Sequence, residues 1–239
     1  MGGGPVVGLT YFGGNGSVIK NNNIHHLHFA FYSNGVRNIT IANNHVHNNG
    51  QYGLNPHTGT LDVIIRNNVI HNNVGQGIIC SLDCHNITIE GNKVYRNEGA
   101  GIMFSRNMQH SIARNNTVFD ETETECIYVS DSHSNQIYNN TVSRCSAGIY
   151  LKAESTNNTL HDNIVMNSEK GILVDNESLN NKFYRNTIKS NSTQSAIFLD
   201  SDYYGRISDR EIRHWLLIHH CLPHFSNTQG FFMTLYGQM

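Results

Sequence analysis

An all-β chain wound as a right-handed parallel β-helix of about eight coils is the fold this sequence predicts. Three observations predict it. Asparagine recurs at Asn22, Asn44, Asn68, Asn92, Asn116, Asn140, Asn163 and Asn186, in steps of 22, 24, 24, 24, 24, 23 and 23 residues. Each opens an Asn-X-apolar step that ends on Ile24, Val46, Ile70, Val94, Val118, Val142, Val165 or Ile188. Around that step lie an alternating strand upstream, as in Ile39-Thr40-Ile41 or Ile87-Thr88-Ile89, and a Gly-apolar pair downstream. The pairs are Gly53-Leu54, Gly77-Ile78, Gly101-Ile102, Gly148-Ile149 and Gly171-Ile172.

Each element follows from this frame. Short period-2 runs of β-branched residues, broken every few positions by Asn and Gly, make strands and cannot make helices of useful length. An apolar frame that never drifts fits one coil per repeat, three short parallel strands per coil and a coil spacing of about 4.8 Å. Ile41, Val46, Leu54, Ile65, Ile70, Ile78, Ile89, Val94 and Ile102 then point inward, and the repeated Asn stack at inner turns, amide on amide. A leucine-rich repeat shares the period but lacks its Leu-X-X-Leu-X-Leu frame here, and an antiparallel sandwich would not hold one frame through eight units.

The register runs through residues 1–202 and breaks after Asp202. In the tail, 203–239, Ser208 and Glu211 resemble a capping box opening a short helix that covers the last coil, and an irregular tail is the alternative. With a net charge of −2 and 14% charged residues, there is no broad basic field for nucleic acid. No apolar run approaches the roughly 18 residues of a membrane span, so no membrane insertion is expected. Cys80, Cys84, Cys126, Cys145 and Cys221 lack CxxC spacing and read as ordinary reduced cysteines. Sequons such as Asn38-Ile39-Thr40 matter only in a secretory pathway, and the repeat itself explains their recurrence.

Residues one and three positions after each inward Leu or Ile point outward. The first column reads Tyr32, Asn55, Ile79, Met103, Tyr128, Tyr150, and the second Asn34, His57, Ser81, Ser105, Ser130, Lys152; both are expected to be exposed. Arg106 stands beside the second, one coil beyond Leu82 and two beyond Thr58. A third column, His25, His47, His71, Tyr95, Phe119, offers rings and hydroxyl partners to sugars, or is plain surface filler. Nothing in it fixes three ligands for a metal. The least repeat-like stretch is Gln51 to Thr60, where Pro56 takes an inward apolar position and removes a ladder donor beside His57. It reads as a rigid presenter of a catalytic base, or as a surface turn.

Tyr52-Gly53-Leu54-Asn55-Pro56-His57, with Phe31-Tyr32-Ser33 a coil before and Gly77-Ile78-Ile79 a coil after, resembles the mannuronan C5-epimerase branch of the carbohydrate-active parallel β-helix proteins. The likeness spans about residues 8 to 130, with its specificity in the Tyr-Gly-X-X-Pro-His core. In that family the His of an Asp-Pro-His-Asp motif removes H5 of a uronate while basic side chains hold the carboxylate. The resemblance carries the base to His57 and one arginine to Arg106. It departs at Asn55 and Thr58, where the family has aspartates, and at Leu82, where it has an arginine.

A proton beside a carboxylate is removable only if the growing charge is neutralised, which suits Arg106, and the base must work near neutral pH, which suits His57. Tyr32, Tyr52 or water then serves as acid. Tyr52, Asn34, Asn55, Ser81, Ser105, His47 and His71 complete the substrate-binding set. The expected partner is an acidic polysaccharide met by a monomer outside the cell or in its envelope, with no cofactor, calcium or other metal. Reprotonation on the opposite face gives epimerisation, and expulsion of the O4-linked sugar gives lyase cleavage. A non-catalytic sugar-binding solenoid and a structural or periplasmic accessory β-helix are the competing readings. Two facing carboxylates, as a glycoside hydrolase needs, are absent from the columns.

Overall fold

A computed structural model describes residues 6–121 and 123–189, with the strand Ile197–Leu199 by backbone alone. Among these residues there is no helix. Each coil lays down three strands, and every strand pairs in parallel with its equivalents one coil away. Sheet A has nine strands, from Val7–Phe12 to Ile197–Leu199. Sheet B has eight, from Asn15–Lys20 to Lys182–Tyr184, and sheet C eight, from Asn23–His25 to Thr187–Lys189. The expected tail helix at Ser208 and the whole of 203–239 lie outside the described residues.

Period-2 alternation on all three sheets sends one set of side chains into a single central core. All nine positions predicted to point inward, from Ile41 to Ile102, are buried. Removing each such side chain from water stabilises the fold by about 2 kcal/mol. The repeat glycines belong to close approach between coils, since a Cβ on Gly77 would lie 2.6 Å from Val94 Cγ1 and 2.8 Å from the Gly101 carbonyl oxygen.

The asparagine repeat is a buried ladder. At Asn92 the backbone N–H and Nδ2 both donate to Asn116 Oδ1, at 2.9 and 3.0 Å, and Nδ2 also donates to the Ile65 carbonyl at 2.9 Å. The same pattern runs from Asn44 to Asn163. Residues just before the ladder take the left-handed conformation, as at Asn43, Asn67, Asn115 and Asn139 with φ of 56, 54, 55 and 53°. Asn tolerates that region better than other side-chain-bearing residues, which accounts for the Asn-Asn pairs.

Further ladders were not foreseen, two of them built on asparagine and one on Ser132, Ser155 and Ser178. Asn49, Asn73 and Asn97 stack five residues beyond the first and end on Glu121, whose carboxylate accepts from the Asn97 backbone N–H at 2.7 Å. Burial pushes the Glu121 carboxyl up to about 8. The other asparagine ladder joins Ser111, Asn135, Asn158 and Asn181. The reading of the cysteines is corrected at one pair: Cys126 and Cys145 form a disulfide, their Cα atoms 5.6 Å apart. Their separation of 19 residues is off the repeat, but the corner between sheets C and A brings them together. Cys80 and Cys84 are free and buried, and burial raises both thiols, Cys84 to about 11.

Candidate active site on the outer face of sheet A

The strands Phe29–Asn34, Leu54–His57, Ile78–Ser81 and Ile102–Ser105 lie side by side in sheet A. Their register stacks Asn34, His57, Ser81 and Ser105 in one column and sets Tyr32 beside Asn55 in the other. Toward the next coil, Leu54 and His57 pair with Ile78 and Ser81, and the ladder skips Asn55 and Pro56. That interruption is what a ring without an N–H causes in a central strand.

Thr58, Leu82 and Arg106 occupy the same turn in successive coils, all left-handed, with φ of 35, 66 and 51°. From its turn Arg106 lies back over one coil. Its Nε donates to Ser81 Oγ at 2.9 Å and its Nη2 reaches His57 Nε2 at 3.1 Å. A guanidinium can only donate, so Nε2 of His57 must hold a lone pair. The proton of the neutral ring therefore sits on Nδ1, which meets Thr58 Oγ1 at 2.5 Å. Thr60 Oγ1 donates to the His57 carbonyl at 2.6 Å and contacts Ser33 Oγ at 3.2 Å, fixing the backbone beneath. His57 is half-buried; desolvation first, and the nearby Arg106 charge second, hold its pKa below the ordinary histidine value of 6.5.

Aromatic rings close the N-terminal side. Tyr32 lies 5.4 Å from the His57 ring, Phe12 and Phe29 lie 6.1 and 6.2 Å from Tyr32, and Tyr52 is 5.7 Å from Phe29. These pairs are tilted by 33 to 57°, so ring faces are left open. Tyr52 packs over Gly75, where a Cβ would come within 2.6 Å of its Cδ1.

The structure thus brings His57, Arg106, Ser81 and Tyr32 into one constellation, with Asn34, Asn55, Tyr52 and Ser105 around it. Exposure of the two columns is corrected: Ser81 and Ser105 of the second are buried, as are Asn55 and Ile79 of the first. Short side chains in a stacked column are overhung by longer neighbours, Arg106 above Ser81 being the instance seen here. Asn55 keeps a buried Oδ1 with no partner, an acceptor left open beside the base. His47 and His71 stand on sheet C instead. There the rings of His25, His47, His71, Tyr95 and Phe119 stack at 5.0, 5.2, 4.7 and 5.0 Å, nearly parallel, covering one another's faces. Thr58, Phe12 and Phe29 were missed as site residues. Phe12 was readable, since it pairs with Asn34 and extends the second column by one coil.

A solenoid with a histidine–arginine pair on one outer face is the class of protein that this fold and site define. The chain belongs to the right-handed β-helix family, whose defining region it matches over residues 6–118 and 79–206. Comparison with curated proteins finds no match in sequence. Solved structures share the fold at low identity. The periplasmic alginate epimerase AlgG is 21% identical with a TM-score of 0.61, over 77% of this chain and 49% of that one. The Azotobacter vinelandii mannuronan C-5 epimerase AlgE6 A-module is 20% identical with a TM-score of 0.64, over 84% and 56%. The Agl-KA catalytic domain is 16% identical with a TM-score of 0.67, over 81% and 47%. The chain therefore spans about half the length of these proteins. No described helix is long and apolar enough to cross a membrane.

Proposed function

We propose that the chain modifies a uronate-containing polysaccharide by removing the C5 proton, as an epimerase before a lyase. The observation that carries this is the directed wiring of His57, with Nδ1–H on Thr58 and the Nε2 lone pair facing out against Arg106. That is the tautomer a base needs. An incoming carboxylate competes for the guanidinium, draws Arg106 off Nε2 and frees the lone pair beside H5. His57 Nε2 then takes H5, and the electron pair moves into the carboxylate, whose second negative charge Arg106 neutralises. Return of a proton to the opposite face, from the Tyr32 hydroxyl or water, gives the epimer. Collapse with loss of the O4-linked sugar gives an unsaturated product.

AlgG and the AlgE6 module, epimerases by name, share this fold, and the Tyr-Gly-X-X-Pro-His core supports the same reading. Thr58 takes over the orienting of the imidazole where the family has an aspartate. The Cys126–Cys145 disulfide supports an extracellular or envelope location, and a monomer needs nothing beyond this one face. The absence of any carboxylate at Asn55 and Thr58 favours one second reading, a solenoid that binds the polymer without turning it over.

Incubation with polymannuronate in deuterated water separates the two. Catalysis places deuterium at C5, and His57→Ala lowers its incorporation by at least about a hundredfold while leaving polymer affinity nearly unchanged. Wild-type protein that binds the polymer yet shows no exchange from about pH 5 to 9, a range spanning histidine titration, leaves the binding solenoid.

A further inference from the structure

Sheet C carries a second concentration of histidine. His25, His45, His47 and His71 project from three adjacent strands, and His26 follows in the turn. The imidazoles meet one another directly: His45 Nε2 lies 2.8 Å from His71 Nε2, and His25 Nδ1 lies 2.7 Å from His26 Nδ1. Ring centroids of His45 and His47 are 4.4 Å apart.

The wiring argues against a metal. Nδ1 of both His47 and His71 is buried without a partner, so the tolerable neutral form leaves it bare and puts the proton on Nε2. Nε2 of His47 then donates to Asn23 Oδ1 at 3.0 Å, and Nε2 of His71 to His45. Turning either Nε2 toward a cation would strand an N–H on a buried Nδ1, without the outer partner that metal-bound histidines keep. Among the described residues no three His, Cys, Asp or Glu converge on one ion.

Charge points elsewhere. No aspartate or glutamate precedes Asp62 in the chain, while Lys20, Arg37 and six histidines other than His71 do. The groups acting on His47 are His45, His25 and His26, and on His71 they are His45, His47, Asn72 and Arg96. Lys20 and Arg66 end the sheet B strands leading to this face, and Lys93 lies over the Tyr95 ring at 5.3 Å. Asp120, two coils beyond His71, is paired with Arg144 and Arg96. Acid therefore loads this patch with positive charge that no carboxylate among the described residues neutralises, and it turns the facing nitrogens of His45 and His71 into two repelling donors.

We propose that this imidazole patch is a proton-gated docking surface for an acidic polysaccharide, separate from the His57 groove and joined to it around the corner of the first coils. The path is on the surface: His28, two residues past His26, meets the Phe29 ring at 4.5 Å, and Phe29 leads to Tyr32 and His57. The ring spacing of about 5 Å along sheet C matches the repeat of an extended 1,4-linked pyranose chain. The polymer class rests on the function proposed above. Bound carboxylates, which stay ionised down to about pH 4, favour the protonated rings, so binding takes up protons and tightens as pH falls. Burial first and neighbouring imidazoles second hold the pKa of His47 and His71 down, so these two rings stay neutral and the change belongs to the outer rings that flank them.

Calorimetric titration with polymannuronate at about pH 8 and about pH 5 tests this, using wild type, the exposed-site double variant His25→Gln/His45→Gln and, separately, His57→Gln. The expected result is at least about tenfold tighter binding at the lower pH, lost in the double variant and kept in His57→Gln. Thermal melting of the double variant should match wild type. The proposal is overturned if wild type does not bind, if its affinity ignores pH, if the double variant keeps the change, or if His57→Gln removes it. Equal acid-induced binding of a DNA duplex would overturn the assignment to polysaccharide. None of these readings needs turnover, so a missing C5 exchange bears on the groove alone.

Discussion

Sheets A and C both present histidine and tyrosine at coil spacing, yet they hold their rings in opposite ways. On sheet C the rings from His47 to Phe119 lie within 6 to 12° of parallel, and each covers its neighbour's face. On sheet A the rings around Tyr32 are tilted, and the histidine there turns its Nε2 to a guanidinium. The difference starts in sequence. Sheet C repeats one residue class at one position, which a regular solenoid turns into a stack. Sheet A changes class at each coil, from Asn34 to His57 to Ser81, and the mismatch leaves gaps that longer side chains reach across. A uniform column covers its own ring faces, and a broken one leaves them open beside the base.

The sharpest test of the scaffold half is Asn92→Ala, directly before the sheet C strand of Lys93–Tyr95. It strips the Ile65 carbonyl and the Asn68 amide of partners inside the core, and stability to denaturant should fall by about 3 kcal/mol. An unchanged midpoint would remove the ladder from the account. On the site half, Arg106→Gln should cut C5 exchange about a hundredfold, as loss of one charge-stabilising donor does. It should also move the acid limb of the pH profile. The base works only when neutral, and with the cation gone the His57 pKa rises toward 6.5, so the limb shifts to higher pH. A limb that stays put would mean that the guanidinium does not act on this imidazole. The smallest effects are a matched pair. Tyr95→Ala should lower stability by about 1 kcal/mol and leave polymer affinity at pH 8 alone, whereas Tyr32→Ala should weaken binding about fivefold with little change in melting. Equal effects of the two substitutions on binding would erase the contrast between the faces.

Much of this arrangement is legible in the sequence. The first ladder announces itself because one residue type recurs in frame, and its frame assigns inside and outside to every strand. Register then puts Arg106 two coils from His57, and only an extended side chain was needed to join them. The second ladder stayed hidden because it is short and changes letters, from Asn97 to Glu121, while keeping its spacing. The disulfide was hidden for the reverse reason, since its spacing ignores the repeat. Burial of Ser81 was out of reach because it depends on where a neighbour's long side chain lies, which periodicity does not encode.

The backward lean of Arg106 gives the solenoid a metric. Separation along the axis comes only in whole coils of about 4.8 Å, so the pairing of Arg106 with His57 is a commitment to a coil count. Adding one coil at the Leu82 turn would leave both residues, both strands and the core chemically intact, yet carry the guanidinium a full step beyond the imidazole. Deleting one would drive it into the ring. Between these coils, change can proceed by substitution only. Beyond the Arg106 coil, the chain is free to lengthen or shorten by whole turns without the site registering it.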